Sequence, residues 1–229
     1  MAERGWMTVS GAGPGIMEGA AKGAGREHTL GVNIDLPFEQ DANPYVDTDT
    51  KLVGMKYFFT RKVALTRASR AFVIFPGGLG TMDEIFELLT LLHTGKTNPA
   101  PVVLVDTPDG TYWHQWMRFI TDAVIADRYI GAADMCLVNV CHAVDDVVAA
   151  IEHFYSNYVG FDLADGRGRL VVRQMPTDEQ LARLAEIVPE FASGAGLKLQ
   201  DDGVVTFAFD GRNYVNLRLV INEANSWVA

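Results

Sequence analysis

Cysteine is almost missing from this chain: Cys136 and Cys141 are the only two among 229 residues. Two thiols at that spacing cannot build a zinc ribbon, and a disulfide framework needs more of them. Both are expected to be reduced, partly buried side chains. His28, His93, His114, His142 and His153 nowhere fall into a His-Glu-x-x-His pattern or another ligand spacing, so nothing asks for a metal. No apolar run approaches the roughly 18–20 residues of a membrane span. Met1-Ala2-Glu3-Arg4-Gly5-Trp6 lacks signal-peptide organisation, which makes the cytoplasm the expected location. Positive charge is scarce too. With 19 Lys and Arg against 29 Asp and Glu, the net charge is −10, which argues against a general binder of nucleic acid or polyanions. A local basic pocket stays compatible with that balance. Internal repeats and low-complexity tracts are also absent.

What is present is ordinary in bulk and specific in detail. Apolar content of 48% and charged content of 21% fit a globular chain long enough for one main domain with an appendage. Strand-like apolar runs at 6–9, 30–34, 71–75, 102–105 and 137–140 alternate with helical patterns at 15–25, 56–67, 81–92, 112–127 and 144–155. Alternation of this kind predicts βα units and an α/β fold with a doubly wound, mostly parallel sheet. The polar segment 36–51 is a long connection, and connections of that length tend to be functional. After Tyr158 the composition changes, and 160–168 reads as a linker. Beyond it, 170–175, a helix at 177–191 and alternating runs at 204–209 and 215–221 predict a small α+β extension. The expected division is therefore 1–158 and 159–229.

The most informative stretch is Pro76-Gly77-Gly78-Leu79-Gly80-Thr81-Met82-Asp83-Glu84, lying between an apolar strand and a helical pattern. Main-chain N–H groups and the positive end of a helix dipole converge at such a junction, and glycines let a phosphate approach without meeting a Cβ. Glu84, one turn in, adds a carboxylate where phosphate binding needs none, which points to chemistry on whatever the phosphate is attached to. Thr81 and Glu84 also fit a capping box. Capping alone does not call for three glycines and a proline in front.

Ser10-Gly11-Ala12-Gly13-Pro14-Gly15-Ile16-Met17-Glu18 is a second glycine loop between strand and helix. A dinucleotide fingerprint would need glycine at position 16, where Ile16 stands, and Pro14 alters the turn. Asp35 sits roughly where a ribose-binding acid would fall, though acids commonly end strands. Gly95-Lys96-Thr97 resembles the end of a P-loop without its first glycine, since Thr90 occupies that place; a glycine helix cap explains it better. In Tyr57-Phe58-Phe59-Thr60-Arg61-Lys62, a helix would let Arg61 aim its guanidinium at phosphate or ribose, or merely leave it solvated.

Residues 76–84 match the Pro-Gly-Gly-x-Gly-Thr-x-x-Glu signature of the Lonely Guy family of nucleoside 5′-monophosphate phosphoribohydrolases, whose members have often been labelled possible lysine decarboxylases. Arg61-Lys62 resembles the family's upstream Arg-Lys element and Ser10–Glu18 its other glycine loop. Leu36-Pro37-Phe38-Glu39-Gln40 and Tyr57–Lys62 resemble its longer bacterial branch, and the similarity runs from about residue 4 to 158. No lysine sits in a recognisable pyridoxal-phosphate context. The resemblance implies a Rossmann-like fold and hydrolysis of the N-glycosidic bond of AMP or an N6-substituted adenosine monophosphate, with no cofactor. It assigns Glu84 to the developing oxocarbenium charge and to the attacking water, with Asp83 as the substitute, and Arg61 to holding the substrate in its reactive pose. It also implies that Gly77, Gly78, Gly80 and Thr81 cradle the 5′-phosphate, with Lys62, Gly11, Gly13, Met17 and Glu18 as further substrate contacts. A homodimer is implied as well. The family's upstream strand and helix have no counterpart before Met1, so an incomplete nucleotide pocket is expected, from a fragment or a misassigned start. The alternative is a binder of nucleotides or sugar phosphates without turnover.

Overall fold

The computed structural model describes residues 1–34, 42–46, 50–193, 196–200 and 203–228. Asp35, the Leu36–Gln40 stretch and most of the long connection lie outside the described residues. The chain divides into two compact units, Met1–Arg70 and Ala71–Ala229.

The first unit contains β1 (Thr8–Ser10), α1 (Ile16–Ala24), β2 (Thr29–Ile34), β3 (Leu52–Met55) and α2 (Phe58–Ala68). The strands run parallel in the order β1-β2-β3, with Thr8 opposite Thr29 and Gly31 opposite Leu52. Thr29, Gly31, Val32 and Ile34 of the central strand are buried, as a parallel strand covered on both faces requires. Gly31 has a packing reason. A Cβ there would come within 2.8 Å of Leu52 Cδ1 and 2.9 Å of Ala12 Cβ. Ala12, Ala21 and Val46 form a small core cluster in this unit, with Ala42, Tyr45 and Leu52 packed against it. The short β3 was not expected from the sequence: four residues interrupted by Gly54 leave too little pattern to see, and pairing with β2 supplies what local preference does not.

The second unit opens with β4 (Phe72–Ile74), α3 (Leu79–His93), β5 (Val102–Val105), α4 (Tyr112–Phe119), β6 (Val138–Cys141) and α5 (Val144–Phe154). Its parallel order is β4-β5-β6. All four residues of β5 are buried, and α3 lays Ile85, Leu88 and Leu92 onto a core that includes Trp113 and Trp116. The Rossmann-like α/β reading stands, with the parallel strands divided between a three-stranded sheet in each unit.

The chain continues through β7 (Tyr158–Ala164), β8 (Arg167–Val172), α6 (Asp178–Ile187), β9 (Lys198–Leu199), β10 (Val204–Ala208) and α7 (Tyr214–Ser226), with an antiparallel sheet ordered β7-β8-β10-β9. Two sequence expectations are corrected here. Residues 160–168 are a hairpin and not a linker: Asp165 and Gly166, with φ of 52° and 71°, supply the left-handed pair of a tight hairpin turn. Residues 215–221 are helix and not strand. Val215, Leu217, Val220, Ile221 and Ala224 are all buried, and the Asn213 side chain caps the start by accepting from the Asn216 N–H. β-branched residues locally favour a strand, but helical burial wins.

Candidate active site

In the second unit, β4 ends at Ile74 and α3 begins at Leu79, so Pro76–Gly78 forms the turn between a parallel strand and a helix N-terminus. The helix starts two residues earlier than expected, and Gly78 is its N-cap without a side-chain capping bond. Thr81 therefore lies inside the first turn, and the Thr81–Glu84 capping box does not form. Thr81 instead covers Gly77: a Cβ on Gly77 would stand 2.1 Å from Thr81 Oγ1. The Tyr112 hydroxyl donates to the Gly77 carbonyl. In a trans peptide this turns the Gly78 N–H the opposite way.

Gly78 and Gly80 differ from Gly77. A Cβ at either would meet nothing within 4 Å, and neither has a positive φ. Neither internal packing nor backbone conformation asks for glycine there. What remains is open space over the first-turn amides, which have no acceptor within the helix. Glu84 follows on the face of Gly80 and Thr81, four and three residues on, and is half-buried. Asp83 is exposed, so of the two carboxylates Glu84 is the more enclosed.

In the first unit, β1 ends at Ser10 and α1 begins at Ile16 after Gly15, whose φ is 71°. Ala12 holds a left-handed conformation, φ 61°, with its N–H donating to Ser10 Oγ at 3.2 Å. Arg61, on the first turn of α2, lies against this loop. Its Nη2 is 2.0 Å from where a Gly11 Cβ would stand, and its Nε donates to the Val32 carbonyl at 3.1 Å. Met17 packs onto the same loop, its Cε 2.7 Å from a Gly13 Cβ. The structure thus brings Gly11, Gly13, Met17 and Arg61 together. Glu18 on α1 and Lys62 on α2 follow, both half-buried.

Two residues escaped the sequence. Tyr112 anchors the Pro-Gly-Gly turn from α4, and Asn43 anchors the first loop through its buried amide. Asn43-Pro44 has the look of an ordinary turn, and neither Asn43 nor Tyr112 carries a signal of its role. Gly95-Lys96-Thr97 is not a phosphate loop: Gly95 N–H reaches the Leu92 carbonyl and Lys96 N–H the Leu91 carbonyl, closing α3 in a Schellman motif with Gly95 at φ 66°.

Parallel strands feeding helices through glycine loops define a Rossmann-like α/β protein with two loop-to-helix junctions. Residues 15–151, more than half of the chain, match the family described as possible lysine decarboxylase. The chain is 34% identical over 158 residues to a cytokinin riboside 5′-monophosphate phosphoribohydrolase of Mycobacterium tuberculosis, covering 66% of this chain and 79% of the relative. It is 35% identical over 91 residues to a protein of that name from Rhodococcoides fascians, covering 40% of this chain and 44% of that relative. A pyrimidine/purine nucleotide 5′-monophosphate nucleosidase of Escherichia coli is 34% identical over 107 residues, 42% of this chain and 23% of the relative. The chain belongs to the possible lysine decarboxylase, or Lonely Guy, family. It spans less than half the length of the Rhodococcoides relative. Among the described residues, no helix is long and apolar enough to cross a membrane.

Proposed function

We propose that this chain hydrolyses the N-glycosidic bond of a purine nucleoside 5′-monophosphate, AMP or a cytokinin riboside 5′-monophosphate, to the free base and ribose 5-phosphate. The observation that carries the reading is the β4–α3 junction, where Gly78 and Gly80 face open space and Glu84 stands one turn further along the helix. First-turn amides suit the 5′-phosphate. Breaking the bond puts positive charge on the ribose, and a carboxylate near C1′ stabilises it and orients or deprotonates the water. In this reading Glu84 takes that role, Gly77, Gly78, Gly80 and Thr81 cradle the phosphate, and Arg61 with Lys62, Gly11, Gly13, Met17 and Glu18 holds the remainder of the nucleotide. Binding energy from the phosphate then serves to position the scissile bond.

Residues 1–158 are assigned to nucleotide binding and catalysis and 159–229 to an extension. A cytoplasmic homodimer belongs to the same proposal, and light scattering of the purified chain tests the oligomeric part. For the chemistry, Glu84→Gln is expected to lower kcat on AMP by about 10²–10⁴, the usual share of a positioned acid or base, with binding of AMP retained. Arg61→Ala is expected to lose both affinity and rate. Near-normal turnover by Glu84→Gln would remove Glu84 from the mechanism. Binding of AMP without base release by the unmutated chain would favour a non-catalytic binder.

A further inference from the structure

Asn43 is 5% exposed, and its bonds converge on one turn of the first glycine loop. Its Nδ2 donates to the Ala12 carbonyl at 3.0 Å and to the Gly13 carbonyl at 3.1 Å, and its main-chain N–H donates to the Ala12 carbonyl at 2.8 Å. Its Oδ1 accepts from the Tyr45 N–H at 3.2 Å. The segment carrying it is clamped on both sides. The Pro44 carbonyl accepts from Arg26 Nη2 at 2.9 Å, and Val46, 2% exposed, packs with Ala12 and Ala21. Drawing the Ala12 carbonyl inward has a geometric consequence. All peptide bonds described are trans, so the Gly13 N–H, across the same peptide, is directed away from Asn43. Ala12 is held at φ 61°, a conformation that a residue with a Cβ rarely adopts and that persists only where its surroundings impose it. The Arg61 guanidinium stands over the neighbouring Gly11.

We propose that Asn43 is a positioning residue for nucleotide binding: by fixing two carbonyls of the first glycine loop inward, it presents the Gly13 amide, beside the Arg61 guanidinium, as a donor for an electron-rich acceptor on the bound nucleoside monophosphate. The inference rests on the hydrolase reading for the identity of that ligand and not for its geometry. Asn43→Asp is close to isosteric and keeps the acceptor for Tyr45, but replaces two donated bonds with a carboxylate facing two carbonyls. Asn43→Ala removes the donors without adding charge.

The test is calorimetric titration of the purified chain and its variants with AMP, beside thermal unfolding and, where base is released, kinetics. Both Asn43 variants are expected to raise the Kd for AMP about tenfold or more, the scale of one lost charge-assisted hydrogen bond, and to raise KM more than they lower kcat. Leu52→Ala, which opens a cavity in the same small core, is expected to lower the unfolding midpoint while leaving the Kd within about twofold. Unchanged AMP affinity in both Asn43 variants would overturn the inference. So would Leu52→Ala weakening AMP binding in proportion to its loss of stability, because Asn43 would then be acting only through the fold. Failure of the unmutated chain to bind AMP would overturn it too. Binding with no base released would instead overturn the hydrolase reading, leaving the affinities to decide the role of Asn43.

Discussion

Gly77, Gly78 and Gly80 are one residue type in one motif with different reasons to be there. Gly77 answers to Thr81, whose hydroxyl occupies the place of a Cβ. Gly77→Ala is expected to cost about 1–3 kcal/mol by overpacking, and Thr81→Ala in the same chain should relieve much of that. Urea unfolding of the two single variants and the double variant measures the coupling. Cys136 makes a prediction of another kind. Burial pushes its thiol from the ordinary 9.0 up to about 11, so the proton is held more tightly folded than unfolded. Its contribution to stability is therefore full below pH 9 and lost as pH rises towards 11. The stability difference between the unmutated chain and Cys136→Val should shrink across that window, and alkylation of native Cys136 at about pH 8 should be slow. A difference that stays flat from about pH 8 to about pH 11 would show that the thiol does not titrate in this way. The motif glycines were legible in the sequence because their spacing is dense; Asn43 and Tyr112 were not, because each acts through a carbonyl distant in sequence.

At the level of elements, α3 combines a buried apolar face with the N-terminal turn assigned to the proposed site. Its buried side presents Ile85, Leu88 and Leu92, a repeat readable from the sequence, whereas Gly80 stands against helix propensity in the first turn with nothing filling the space its Cβ would take. Gly80→Ala is expected to stabilise the chain by about 0.5–1 kcal/mol, by the ordinary preference of a helix for alanine, while weakening AMP binding. A rise in unfolding midpoint together with a rise in Kd would bear this out, and a stabilised variant with unchanged affinity would detach Gly80 from the site. The first βα unit, β5 and α5 were found close to their expected places. β3 escaped because four residues with a central glycine give almost no pattern, and α7 was misread because Val215 to Ile221 alternates as a strand does. Its helical face emerges only when the core of the second unit is there to receive it.

At the scale of the whole molecule, buried polar groups tie α7 to the rest of the second unit alongside its apolar packing. Asn225, fully buried, accepts from the Asn157 and Tyr158 N–H groups and donates to the Phe154 carbonyl, joining α7 to the junction of α5 and β7. Arg218, also buried on α7, donates to the Ala100 carbonyl at 2.9 Å and lies 4.6 Å from the centre of the Phe154 ring. Asn225→Leu would strand three main-chain groups, and a loss of about 3 kcal/mol or more is expected by chemical denaturation. A loss below about 1 kcal/mol would show that α7 is held by apolar packing alone. None of this network was legible in the sequence, where asparagines in an apolar run carry no sign of their partners.

Which bond of the nucleotide is broken decides the proposed function. Incubation of the purified chain with AMP, followed by chromatography of every product, separates the possibilities. Equimolar adenine and ribose 5-phosphate are expected, formed without added inorganic phosphate and lost in Glu84→Gln. Adenosine with free phosphate, or base release that requires inorganic phosphate, would contradict the proposed function.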